Sequence, residues 1–242
     1  FTRLELSPEE LAKAFLGYYG RGMVNGLFLS SGITGDVDQT MEKQIETVQL
    51  LRKKYGYDDY IHLKIVPGAS KDSIKRAMAL ANRVSINIEA ATPSGLAELS
   101  STKDYNKDIL KRLSWINSLQ HKSTTYPNST HTTQLIVGAN SESDKEILER
   151  MEKIYKKSEL KRTYFSAFTP VEETEFANKD ACSTDRTAKL YNADSLLNDY
   201  HYNVKELVFD ENDRLSLTQD PKILAAKNMD IFPVEINKAP LV

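Results

Sequence analysis

The chain has 242 residues, a formal net charge of −2, 40% hydrophobic and 27% charged residues. That is the balance of a globular protein long enough to bury a sizeable core, with no basic bias toward a nucleic-acid backbone. No apolar run reaches the ~20 residues of a membrane span, and Cys182, the single cysteine, excludes an intrachain disulfide and a thiolate cluster supplied by this chain alone. A lone cysteine and no signal-peptide pattern fit a cytoplasmic setting.

Ser7-Pro8-Glu9-Glu10 predicts a helix start: Ser7 as N-cap, Pro8 in the first turn, Glu10 closing a capping box. Phe15, Leu16 and Tyr19 give that helix an apolar side, and Gly20 and Gly22 end it. A short strand, 26–29, then breaks into Ser30, Ser31 and Gly32. A strand that stops in small polar residues leaves hydroxyls and backbone N–H groups at its C-terminal end, where α/β proteins bind ligands.

A helix over about 38–55 follows, with Met41, Ile45, Val48 and Leu51 at helical spacing. A strand over 60–66 stops at Pro67-Gly68, and Ser70 caps a helix carrying Ile74, Ala77, Met78 and Ala81. A strand over 83–90 precedes helices at 93–100 and 105–119 and a polar loop at 121–130. A strand at 132–137 ends in Gly138, a helix spans 143–157, and a strand at 162–168 is stopped by Pro170. From 171 the pattern changes to a polar loop, a helix over 187–200 and short pieces. Alternation of helix and strand predicts a parallel sheet wrapped by helices. The expected organisation is a core over 1–171 and a C-terminal extension over 172–242 packed on it.

Strand parity sorts the polar residues. Ser85, Asn87 and Glu89 share one face of 83–90, opposite Val84, Ile86 and Ile88. His62 and Lys64 share a face, as do Gln134, Ile136 and Gly138, and Tyr164, Ser166 and Phe168. Polar residues on one face of a buried strand cost free energy unless something bonds to them. An open or closed barrel with a polar mouth accommodates them better than a doubly wound sheet. An internally bonded polar network is the alternative that needs no ligand.

Gln134-Leu-Ile-Val-Gly138-Ala-Asn-Ser-Glu142 resembles the fifth-strand motif of radical S-adenosylmethionine enzymes, with Gln134 replacing the usual first glycine. Ser30-Ser31-Gly32 stands where that family has a Gly-Gly-Glu-like motif after strand two. The set Gly26–Gly32, Tyr60–Lys64, Pro67–Ser70, Gln134–Gly138, Tyr164–Phe168, Leu190–Asp194 and Phe232–Asn237 is similar to a subgroup assigned to DNA modification or repair. Proteins of that subgroup carry a C-terminal helix-hairpin-helix. The resemblance implies strands two to six of a partial, TIM-like (β/α)6 barrel with a helical extension. It implies S-adenosylmethionine and a [4Fe–4S] cluster as cofactors and a 5′-deoxyadenosyl radical as the reactive species. The family's three-cysteine loop would lie upstream of Phe1 and the DNA-binding module downstream of Val242, so the resemblance implies a fragment that meets nucleic acid only through a module outside it. In that reading Ser30, Ser31 and Gly32 hold the methionine end, Asn87 and Glu89 the ribose or carboxylate, and Gly138 the adenine. Lys64, Gln134 and Ser166 complete the candidate cofactor-binding set; no catalytic residue and no metal ligand is assigned. Two other readings stay open: a different barrel enzyme binding a phosphate or sugar at the same strand ends, with Ser-Ser-Gly as an anion cradle, and a non-catalytic binding module.

Overall fold

The computed structural model describes residues 5–33, 35–122 and 129–228. The Phe232–Asn237 motif and most of the expected 121–130 loop lie outside the described residues. Five strands form one all-parallel sheet in the order β1 (Leu27–Leu29), β2 (Ile61–Lys64), β3 (Arg83–Ser85), β4 (Thr130–Val137) and β5 (Arg162–Ala167). Spatial order follows chain order, without the reversal that defines a doubly wound sheet. Right-handed connections in such an order all run on one face.

The helices are α1 (Pro8–Tyr19), α2 (Val37–Gln49), α3 (Lys71–Leu80), α4 (Pro93–Leu99), α5 (Lys111–Lys122), α6 (Asp144–Tyr155), α7 (Thr184–Asn198) and α8 (Pro221–Asn228). Ser7 and Glu10 form the expected capping box, and the Ser70 hydroxyl accepts from the Ser73 N–H. Two expected helices are α-helical over only part of their length. α2 runs on into a π-helical turn, Leu50–Lys54, and α5 is preceded by another, Tyr105–Leu110.

The expected strand 83–90 pairs in the sheet only over Arg83–Ser85. Glu89 has φ 61°, a left-handed conformation that interrupts the side-to-side alternation before it reaches residue 89. Its backbone still touches β4: the Glu89 N–H donates to the Gln134 carbonyl and its carbonyl accepts from the Ile136 N–H.

The chain forms two compact units, each assembled from separated stretches. Unit one comprises Phe1–Asn87, Lys103–Thr133 and Glu159–Arg162; unit two comprises Ile88–Thr102, Gln134–Ser158 and Thr163–Val242. In unit one, α1, α2, α3 and α5 pack in series, α1 on α2, α2 on α3 and α3 on α5. Met41, Ile45, Ile61, Leu63, Ile74, Val84 and Ile116 are fully or almost fully buried there. Arg112 of α5 fastens the turn after β2, donating to the carbonyls of Gly68 and Ala69. In unit two, α7 packs on α6 and α8 on α7, burying Ile147, Leu148, Met151, Leu190, Ala193, Leu196 and Leu197.

Candidate functional site

In unit one, parallel register aligns side chains into rows across the sheet. Phe28 pairs with His62, His62 with Arg83 and Arg83 with Thr130, giving one row. Lys64 pairs with Ser85 and Ser85 with Thr132, giving the next row toward the strand C-termini. Ser30, one residue beyond β1, has the same parity as Phe28. The alternate residues Leu29, Ile61, Leu63, Val84 and His131 form the opposite, buried face. The parity expected for His62 with Lys64 and for Ser85 thus holds, and it brings Lys64 and Ser85 side by side.

The first row has a defined chemistry. The His62 Nε2 lies 2.8 Å from the Ser85 Oγ, and the His62 ring lies 4.7 Å from the Phe28 ring. Burial, reinforced by the neighbouring Arg83 and Lys64 charges, pushes the His62 pKa down to about 4. The ring is therefore neutral at pH 7, with one nitrogen free to donate and the other to accept. Arg83 donates from Nε to the Thr130 hydroxyl and lies over the Tyr60 ring. Phe28 is 59% exposed, an unusual state for an aromatic ring on a sheet face. Among the described residues of β1, β2 and β3 that share this face, the charged ones are Lys64 and Arg83; none is acidic.

Ser30, Ser31 and Gly32 are all exposed at the end of β1. The Ser31 hydroxyl is committed to its own segment, donating to the Gly32 carbonyl at 2.7 Å. Asn87, beyond the end of β3, is 7% exposed.

The other candidate residues belong to unit two. Glu89 and Gln134 meet through the backbone bridge described above. Gly138 ends β4 with φ 87°, which explains the glycine. The space above its α-carbon is filled by this chain: a Cβ there would lie 2.7 Å from the Cys182 Cβ and 2.9 Å from its Sγ. Cys182 is held in place by its N–H, which donates to the Phe168 carbonyl, while the Phe168 N–H donates to the Val137 carbonyl. In this arrangement the close backbone approach at Gly138 is made by Cys182. Ser166 is half-buried near the end of β5.

Three motif residues have structural partners that sequence reasoning did not supply. Glu142, the last residue of the fifth-strand motif, lies one residue before the N-cap Ser143 and is 4% exposed. Its carboxylate accepts from the Ala91 N–H, the Thr92 N–H and the Thr92 hydroxyl at 2.9, 2.7 and 2.7 Å. It thereby ties β4's end to the start of α4. Asp194, in the Leu190–Asp194 motif, accepts from the Tyr155 hydroxyl, which also meets the Thr163 hydroxyl. Burial and the Asp194 charge push the Tyr155 phenol well above its ordinary range, so it stays a donor. Tyr191 in the same motif accepts from the Phe165 N–H.

Asp144 is a further buried carboxylate, 1% exposed, clamped by Arg186 at 2.7 Å, by Arg214 at 3.5 Å and by the Leu215 N–H at 2.9 Å. The carboxylate is paired with two guanidinium groups, each of which also donates to the Glu142 carbonyl, which marks a structural cluster. Sequence reasoning passed over Phe28, Ser85 and Arg83 as site residues; Ser85 lies on the face sorted as polar, and parity with Ser85 for Arg83 and with Ser30 for Phe28 was the available signal. Among the described residues no group of three or more His, Cys, Asp or Glu side chains is placed to hold a metal ion, and no helix is long and apolar enough to cross a membrane. No protein-family model matches the sequence, and no curated protein matches it.

Proposed function

We propose that the chain is the core of a radical S-adenosylmethionine enzyme, its five strands being strands two to six of a partial (β/α)6 barrel. The observation that carries this reading is the polar second row on the sheet face of unit one. Lys64 and Ser85 pair at one level near the ends of adjacent parallel strands, and Ser30 follows directly on the paired end of β1, where an α/β sheet binds its ligand. Ser30, with the backbone of Ser31 and Gly32, supplies donors and acceptors for the amino and carboxylate groups of the cofactor's methionine end. Asn87 supplies a carboxamide for the ribose hydroxyls. The iron–sulfur cluster fits differently: with one cysteine in the sequence, its thiolate ligands must come from outside this chain. The role of this chain's residues is to bind and orient. A nucleic-acid substrate belongs to this proposal through the subgroup resemblance alone.

A second reading has its own observation. Among the described residues of β1, β2 and β3 on this face the charged ones are Lys64 and Arg83, and their charges add to the burial that holds His62 neutral. That favours an anionic ligand such as a sugar phosphate. Thermal unfolding with each ligand separates the two. A ligand present at a hundred times its Kd stabilises the folded state by about 2.7 kcal/mol. A rise in Tm with S-adenosylmethionine, lost in Asn87→Ala, is the expected result. A rise with sugar phosphates and none with S-adenosylmethionine moves the assignment to the second reading.

A further inference from the structure

Unit one contains a groove of about 790 Å³ between the start of α1, the end of β1 and α2, bordered by Ser30, Ser31 and Gly32. Its volume falls within the ~300–1,000 Å³ of small-molecule sites. Leu6, Pro8, Leu11 and Leu29 make it apolar on one side, and α2 contributes Gln44 to its wall. The α2 row on this side is polar. Thr40 and Thr47 are buried, and each hydroxyl donates to a carbonyl of its own helix, Asp36 and Lys43. Gln44, between them, is 3% exposed, and neither its Nε2 nor its Oε1 has a hydrogen-bond partner.

A buried polar group left unsatisfied costs about 1–3 kcal/mol, and here both ends of one carboxamide are in that state. Met41, Ile45 and Val48 of the same helix are fully buried and apolar, so a leucine or methionine at 44 would pack without that cost. Both polar atoms are shut off in this conformer, so an inner torsion must rotate to another staggered well to bring the carboxamide to the groove, and the broad last torsion then sets which atom meets the ligand. What satisfies it is a group offering an acceptor and a donor side by side. The charges nearest the groove, Lys43 and Glu5, neutralise each other in an ion pair at 2.5 Å. We propose that this groove binds a small neutral amide carrying a branched aliphatic group. The Gln44 carboxamide exchanges hydrogen bonds with the amide, and the hydrocarbon lies against Leu6, Leu11 and Leu29. Ser30, Ser31 and Gly32 border this groove as well as the proposed cofactor site, but the contact proposed here is made by Gln44, which the cofactor reading does not use.

The probe is N-acetyl-leucine N-methylamide, titrated into uniformly 15N-labelled protein. The side-chain NH2 signals of Gln44 are identified by their loss in Gln44→Leu. Those signals are expected to shift saturably, and the methyl ester, which lacks the second amide donor, is expected to bind at least tenfold more weakly. Gln44→Leu is expected to bind the amide at least tenfold more weakly while melting at or above the wild-type Tm. The proposal is overturned if the Gln44 signals do not move, if Gln44→Leu binds the amide as well as wild type, or if Gln44→Leu melts several degrees lower. The last result would mean that the carboxamide already has a partner within the protein. Parallel titration with S-adenosylmethionine tests the cofactor reading separately.

Discussion

His62 is a neutral imidazole kept so by burial and by two cations in its own and the adjacent row. The sign of its effect on stability follows from the shift. The folded pKa of about 4 lies below the ordinary 6.5, so the unfolded chain takes up the proton first as pH falls. The contribution is fully present above about pH 6.5 and is lost as pH drops toward 4. Allowing for the partial exposure of the ring, it amounts to about 1–2 kcal/mol. Urea midpoints at pH 7.5 and 4.5 are expected to differ by less in His62→Gln than in wild type, because glutamine keeps a partner for Ser85 and does not titrate. An unchanged difference would remove His62 from the acid response. Strand parity made this residue's face legible in the sequence, since a two-residue period needs no tertiary information. The left-handed backbone of Glu89 was not legible, because neither its residue type nor its neighbours demand φ 61°. The lack of a partner at Gln44 was equally hidden: it depends on what α1 and β1 place around α2.

At the scale of elements, local chemistry was readable and distant chemistry was not. Ser7 with Glu10 and Ser70 with Ser73 are contacts within one turn, and both form as expected. Ser143 and Glu146 have the same spacing and form the same box, so the helix start after β4 was also written locally. The partners of Glu142 beside them lie 50 and 51 residues earlier in the chain. Its carboxylate at the N-terminus of α4 satisfies donors that the helix leaves open and sits favourably in the helix dipole. Glu142→Gln places an amide NH2 among three donors. The expected loss is about 2–4 kcal/mol, from broken charge-assisted bonds and a buried unmatched donor. Urea unfolding checks this; a loss below 1 kcal/mol would mean that the cluster contributes little to holding α4.

At the scale of the whole chain, alternation of helix and strand made a parallel sheet legible, because parallel neighbours require crossover connections. How the chain distributes itself between two compact units was not legible, since each unit takes stretches far apart in sequence. Residues 172–228 all fall in unit two, with α6 and the later part of β4. This bears on whether the segment after 171 can be removed. In α7, Leu190, Leu196 and Leu197 are at most 5% exposed. Burial of such side chains contributes about 1.5–3 kcal/mol each. Removing 172–242 would forfeit those contributions, strand Tyr155 without Asp194, and take Arg186 and Arg214 from the buried Asp144 carboxylate. Breaking a buried ion pair from one side alone costs about 3–5 kcal/mol. The combined loss matches the ~5–15 kcal/mol that holds a typical domain folded. A chain ending at residue 171 is therefore expected to lose its cooperative melting transition and its near-ultraviolet circular dichroism and to bind a hydrophobic dye. A cooperative transition within a few degrees of the full chain would instead make the segment after 171 a separable attachment.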